Sequence, residues 1–124
     1  MADFRYFNEN PYGYEDSDCV TRAITLATGE DYLEVGRKLY LIGELLNMDK
    51  LDVNCYEFLI TKYYGFPPVR FEKGTTVGEF AENHPRGIYL IRMQGHITTL
   101  VDGELWDLWN SSEYHPTNIW FCGL

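Results

Sequence analysis

The apolar positions of this chain change period once, near residue 87, and that change organises the rest of the reading. Before it they recur at three- and four-residue spacing. Val20, Ala23, Ile24 and Ala27 form a helical stripe that begins after Ser17 or Asp18, either a favourable N-cap, and stops at Gly29. A second helix is predicted from Asp31, with Glu34 supplying a capping box and Leu33, Val35 and Leu39 carried on it; its end falls within residues 40–48. A third starts after Asp52, carries Cys55, Phe58, Leu59 and Tyr63, and ends at Gly65. Pro67-Pro68 enforces an extended link, with Val69-Arg70-Phe71 as a short edge strand. Thr76-Val77-Gly78-Glu79 repeats the capping-box pattern and opens a short helix that Pro85 and Gly87 terminate.

Beyond Gly87 the period is two. Residues 88–93, 96–101, 104–109 and 118–122 read as strands of an antiparallel meander. Helices first and strands afterwards predict an α+β domain, and 124 residues suffice for one core but not two, so residues 1–124 are expected to form a single domain. Residues 4–14 mix aromatic rings with Asn, Pro and Gly, and are expected to be irregular and packed on the body through those rings.

One hairpin carries chemistry. Asp102-Gly103 is a favoured two-residue turn, and it pairs Val101 with Glu104, Thr99 with Trp106, Thr98 with Asp107 and His96 with Trp109. Alternation then puts His96, Thr98 and Leu100 on one face with Leu105, Asp107 and Trp109. His96 and Asp107 become diagonal neighbours within side-chain reach, whereas Asn110 falls on the opposite face. Trp109 beside His96 would shield that pair from water. At the other end of the chain, Cys19 opens the first helix, where unpaired backbone N–H groups and the helix dipole favour a thiolate. A thiol nucleophile needs a base, and the base needs an orienting acceptor; Cys19, His96 and Asp107 occur in that order. The Cys19 N–H would serve one side of an oxyanion hole, with the side-chain amide of Asn8 or Asn10 as candidate second donor.

Charge and composition narrow the partners. The net charge is −9 and the ten Lys and Arg are scattered, which disfavours nucleic acid and anionic lipid and favours solubility as the role of the acidity. Three cysteines, at 19, 55 and 122, have no disulfide-framework spacing. The opening Met1-Ala2-Asp3-Phe4-Arg5 lacks the pattern of a signal peptide, and no apolar run approaches a membrane span, so a cytoplasmic protein with reduced thiols is expected. Cys55 and Cys122 are expected in the core, His84 and His115 in solvated loops. No paired spacing suggests a metal site.

The run Asp18-Cys19-Val20-Thr21-Arg22-Ala23, followed by Gly95-His96 and Asp107, resembles the papain-like cysteine peptidase superfamily, most nearly its small bacterial and phage members. The resemblance spans most of the chain in order: nucleophile helix, helical middle, then a sheet bearing base and partner. No Gln precedes Cys19, where papain-like enzymes usually carry one, and Val20 follows it in place of a bulky aromatic residue. The resemblance implies Cys19 as nucleophile, His96 as general base and acid, and Asp107 as orienter. It implies a hydrolase acting on a peptide, isopeptide or related amide bond of a peptide or protein substrate, with no cofactor. The alternatives are a catalytically idle binding module of the same fold, for example a phage-encoded protein capturing a host partner, and acyl transfer to an amine by the same triad.

Overall fold

The structure, a computed structural model, describes residues 3–13, 18–50 and 52–124. Strand β1 is Asp3–Tyr6. Helices α1 (Cys19–Thr28), α2 (Tyr32–Leu46) and α3 (Val53–Phe58) follow, and α3 runs directly into a π-helical turn, Leu59–Tyr63. Then come α4 (Val77–Asn83) and strands β2 (Ile88–Met93), β3 (His96–Val101), β4 (Glu104–Asp107) and β5 (Pro116–Gly123). The result is an α+β fold whose N-terminal helices pack on a mixed five-stranded sheet.

Local chemistry accounts for most of these elements. The Asp31 carboxylate accepts from the N–H groups of Leu33 and Glu34, satisfying donors that the first turn of α2 leaves unpaired. Val35 and Leu39 of α2 are buried, but Leu33 faces solvent. Thr76 and Glu79 form a complete capping box at the start of α4. Ser17, one of the two expected caps of α1, lies outside the described residues. Asp18 occupies the N-cap position, yet its side chain makes no capping bond, because it is engaged elsewhere.

The sheet departs from the expected meander in two ways. Its order is β1-β4-β3-β2-β5. β5 does not follow β4 but crosses the sheet to pair antiparallel with β2, along Leu90↔Trp120 and Ile91↔Ile119. The segment 108–115 makes this crossing over the start of α4, where the carbonyls of Tyr114 and Ser112 accept from the N–H groups of Val77 and Gly78, both at 2.8 Å. The second departure is β1, which the irregular composition of residues 4–14 concealed. It pairs in parallel with β4, Asp3↔Glu104 to Tyr6↔Asp107. The edge strand expected at Val69-Arg70-Phe71 does not form; the contact lies just ahead of it, as a single bridge Pro68↔Trp120, with Val69 N–H donating to Ile119 O and Phe121 N–H to Pro67 O.

Alternate residues of the strands serve opposite faces. Leu90, Ile97 and Trp120 pack with Ile24 of α1, Leu39 of α2 and Leu59 of the π-helical turn. Ile91, Leu100, Leu105 and Ile119 pack with Val77, Phe80 and Ala81 of α4. Each large side chain so buried contributes roughly 1.5–3 kcal/mol against conformational entropy. The β3–β4 hairpin closes through Asp102 (φ 48°) and Gly103 (φ 81°), the left-handed pair that a two-residue type I′ turn requires. Its register, Thr99↔Trp106 through Val101↔Glu104, is the expected one near the turn, but the ladder stops there. The expected pairs Thr98–Asp107 and His96–Trp109 are not made and β4 ends at Asp107, not 109, because the chain leaves the hairpin there for its crossing to α4. No helix among the described residues is long and apolar enough to cross a membrane.

Candidate active site

Three chain positions place the site at one end of the sheet. His96 is the first residue of β3, Asp107 the last of the antiparallel β4, and Cys19 the first of α1. The start of β3 and the end of β4 coincide because the two strands run in opposite directions. α1 is fastened to β3 by burial of Ile24 against Ile97 and by the Thr99 hydroxyl, which donates to Ala23 O at 2.8 Å. The helix that opens with Cys19 and the strand bearing His96 are therefore one packed unit.

Within it the three side chains meet. His96 Nε2 donates to Asp107 Oδ2 at 2.7 Å. The imidazole also hydrogen-bonds the Cys19 thiol, and with Nε2 held by the carboxylate, Nδ1 is the nitrogen left for sulfur. The Ile97 N–H points at the same sulfur. Burial alone would push the Cys19 thiol up; the hydrogen bond and charge of His96, the Ile97 N–H and the Arg22 charge outweigh it and hold the thiol below its ordinary value. Burial likewise works against a charged His96, but bonds to Asp107 and Cys19 raise it to about 9. Asp107 is held below the usual carboxylate range despite burial, through His96 and the Leu108 N–H. These directions agree: the arrangement favours thiolate, imidazolium and carboxylate together.

Trp109 lies beside the imidazole, ring centroids 4.7 Å apart, and Tyr114 meets Trp109 edge-on. Asn110 is turned away, its carbonyl accepting from Ser112 N–H at 3.0 Å. Asp107, not Asn110, is the partner of His96, as the alternation of faces predicts. The two amide candidates for an oxyanion hole are tied into local structure. Asn8 Oδ1 accepts from Asn10 N–H, Asn10 Oδ1 accepts from Tyr12 N–H, and Asn10 Nδ2 donates to Asp18 at 3.2 Å.

Sequence reasoning missed a buried ionic network beneath the triad. Arg22, only 4% exposed, donates from Nε to Asp18 Oδ1 at 2.7 Å and from Nη1 to Asp107 Oδ1 at 3.0 Å. Asp18 Oδ2 accepts from the Tyr32 hydroxyl at 2.7 Å as well as from Asn10. The signal was present as an acid and an arginine four residues apart at a helix start. Glu9 joins the same neighbourhood; burial pushes its carboxyl up to about 7, and its Oε1 has no hydrogen-bond partner among the described residues.

The remaining candidates lie elsewhere. Cys55 is fully buried on Leu39 O, and burial pushes Cys122, packed against the helical core, up to about 12. His115 is exposed, as expected. His84 is not simply solvated: it stacks on Phe80 at 3.8 Å and its Nδ1–H donates to Phe80 O, which closes the end of α4. No cluster of three or more His, Cys, Asp or Glu among the described residues could hold a metal. Comparisons of the chain with protein-family models, with curated proteins and with solved structures find no match.

Proposed function

We propose that this protein is a cysteine hydrolase of the papain-like kind, cleaving a peptide, isopeptide or related amide bond through Cys19, His96 and Asp107. One observation carries the reading: the His96 ring is shared between the Cys19 thiol and the Asp107 carboxylate, at a helix start. His96 Nδ1 takes the thiol proton, and the Cys19 thiolate attacks the substrate carbonyl carbon. The Cys19 N–H, in the first turn of α1 where backbone donors lack intrahelical acceptors, supplies one donor to the developing oxyanion. The imidazolium then protonates the leaving nitrogen as the carbon–nitrogen bond breaks. A water, deprotonated by His96, attacks the thioester and releases the acid and the free thiol. Asp107 keeps Nε2 protonated and stabilises the imidazolium throughout.

The test is site-resolved alkylation followed by turnover. Iodoacetamide labelling, read by mass spectrometry at each cysteine between pH 4.5 and 9, should be fast at Cys19 well below the free-thiol value of about 8.5. It should lose that advantage in His96→Ala. Cys19→Ala should remain folded and fail to turn over a panel of fluorogenic peptide and isopeptide substrates. Slow labelling at all three cysteines, or turnover retained by Cys19→Ala, overturns the proposal, and slow labelling would redirect the search to a binding partner.

A further inference from the structure

We propose that Arg22 is a positioning residue for this site, its guanidinium fork locking the start of the nucleophile helix to the end of the strand that carries the orienting carboxylate. The inference rests on the thiolate–imidazolium part of the function proposed above.

The geometry supplies the argument. Asp107 divides its oxygens: Oδ2 meets His96, while Oδ1 accepts from Arg22 at 3.0 Å and from the Leu108 N–H at 2.7 Å. With Oδ1 pinned, the carboxylate plane cannot turn away from the imidazole. The other arm of the fork, Nε, holds Asp18, the residue immediately before Cys19. Asp18 has the position and chemistry of an N-cap, yet makes no capping bond; its carboxylate is committed to Arg22, Tyr32 and Asn10. A local rule broken beside a reactive group signals a constraint imposed from elsewhere. Here the sacrificed cap is what ties α1 to β4. The two acceptors are met by Nε and Nη1 of one rigid planar group, a spacing and orientation that the point-like ammonium of lysine does not reproduce.

Asp18 comes from the start of α1, Asp107 from β4 and Glu9 from the segment ahead of α1; Tyr32 of α2 reaches the group through Asp18, and His96 of β3 through Asp107. Glu9 titrates near 7, inside the window of interest, so every variant is also measured in a Glu9→Gln background.

The decisive variant is Arg22→Lys, which keeps the charge and loses the fork. Its Cys19 labelling profile should move to higher pH by about one unit, a roughly tenfold loss of thiolate on the acid side. Cys55 labelling, and the melting temperature read alongside, report any general loosening. A merely structural arginine would lower melting and leave the Cys19 profile where it was; that outcome overturns the inference. Asp18→Asn provides a second decision should Arg22→Lys fail to fold. Removing a negative charge near Cys19 would by itself shift labelling to lower pH, so an upward shift marks lost positioning, and a downward or absent shift refutes it. A wild-type Cys19 that labels only in the ordinary thiol range sinks both this inference and the proposed function. Wild-type behaviour in Arg22→Lys beside a reactive wild-type Cys19 sinks this one alone.

Discussion

Glu9 makes the pH dependence of folding stability calculable at one residue. Its carboxyl is buried near two other acids, Asp18 and Asp107, and its value rises from 4.5 to about 7, with burial the largest cause. Between those two pH values the folded protein holds a proton that the unfolded chain has released. Stability therefore falls as pH rises across that window, and the contribution present below 4.5 is gone above about 7. At ~1.36 kcal/mol per pH unit the interval sets a ceiling of ~3.4 kcal/mol. Solvent contact over part of the side chain reduces the expected figure to about 1–2 kcal/mol. Glu9→Gln keeps the shape and removes the titration. Urea unfolding of both proteins at pH 4 and pH 8 gives a double difference in which other titrating groups largely cancel. The variant should gain about 1–2 kcal/mol relative to wild type on going from pH 4 to pH 8. An equal stability difference at the two pH values would show that Glu9 is solvated in the fold, and would remove it from the charge balance around Arg22.

Two further outcomes test other parts of the molecule. In Asp107→Asn the imidazolium loses its carboxylate, so His96 should titrate about one to two pH units below its wild-type value of about 9. Ring nitrogen and carbon shifts followed by NMR read this directly, and an unmoved titration would contradict the bond between His96 and Asp107. Gly43→Ala sets helix propensity against space: alanine favours the helix by ~1 kcal/mol. A Cβ there would lie 2.8 Å from the Met48 carbonyl oxygen, where the chain doubles back after α2. The clash should win, lowering stability by about 1–3 kcal/mol in thermal unfolding; a more stable variant would show that the 47–50 segment yields.

What the sequence disclosed was local or periodic, and what it withheld depended on distant pairings. β2, β3 and the short helix at Val77–Asn83 are written in alternation, a turn dipeptide and a capping box, all within a few residues of where they act. Whether the last strand pairs with β4 or β2 is not a local property. The segment 108–115 is long enough to stay beside the hairpin or cross it, and the crossing is stabilised by backbone carbonyls of Ser112 and Tyr114 on the start of α4. Side-chain type has little to say about bonds made by main-chain groups. The same holds for β1, where three of four side chains are exposed and pairing rests on the backbone edge of β4.

The site shows the same division at finer scale. Cys19, His96 and Asp107 could be brought together on paper because a helix start is a local signal and a two-residue turn fixes the register of a hairpin. The network beneath them could not, since each member has an ordinary local use. Asp18 reads as a cap, Arg22 as the basic half of a surface pair, and Tyr32 as one aromatic residue among many. Burial changes their meaning. On the surface, an Asp18–Arg22 pair four residues apart is worth at most a few tenths of a kcal/mol. Enclosed with a second carboxylate from another element, the arginine cannot be removed without stranding charge, a loss of roughly 3–5 kcal/mol. A strong local cap was forgone and a buried charge accepted where a thiol, an imidazole and a carboxylate converge. That coincidence is the physical reason to treat Arg22 as part of the site rather than as a staple that happens to lie beneath it.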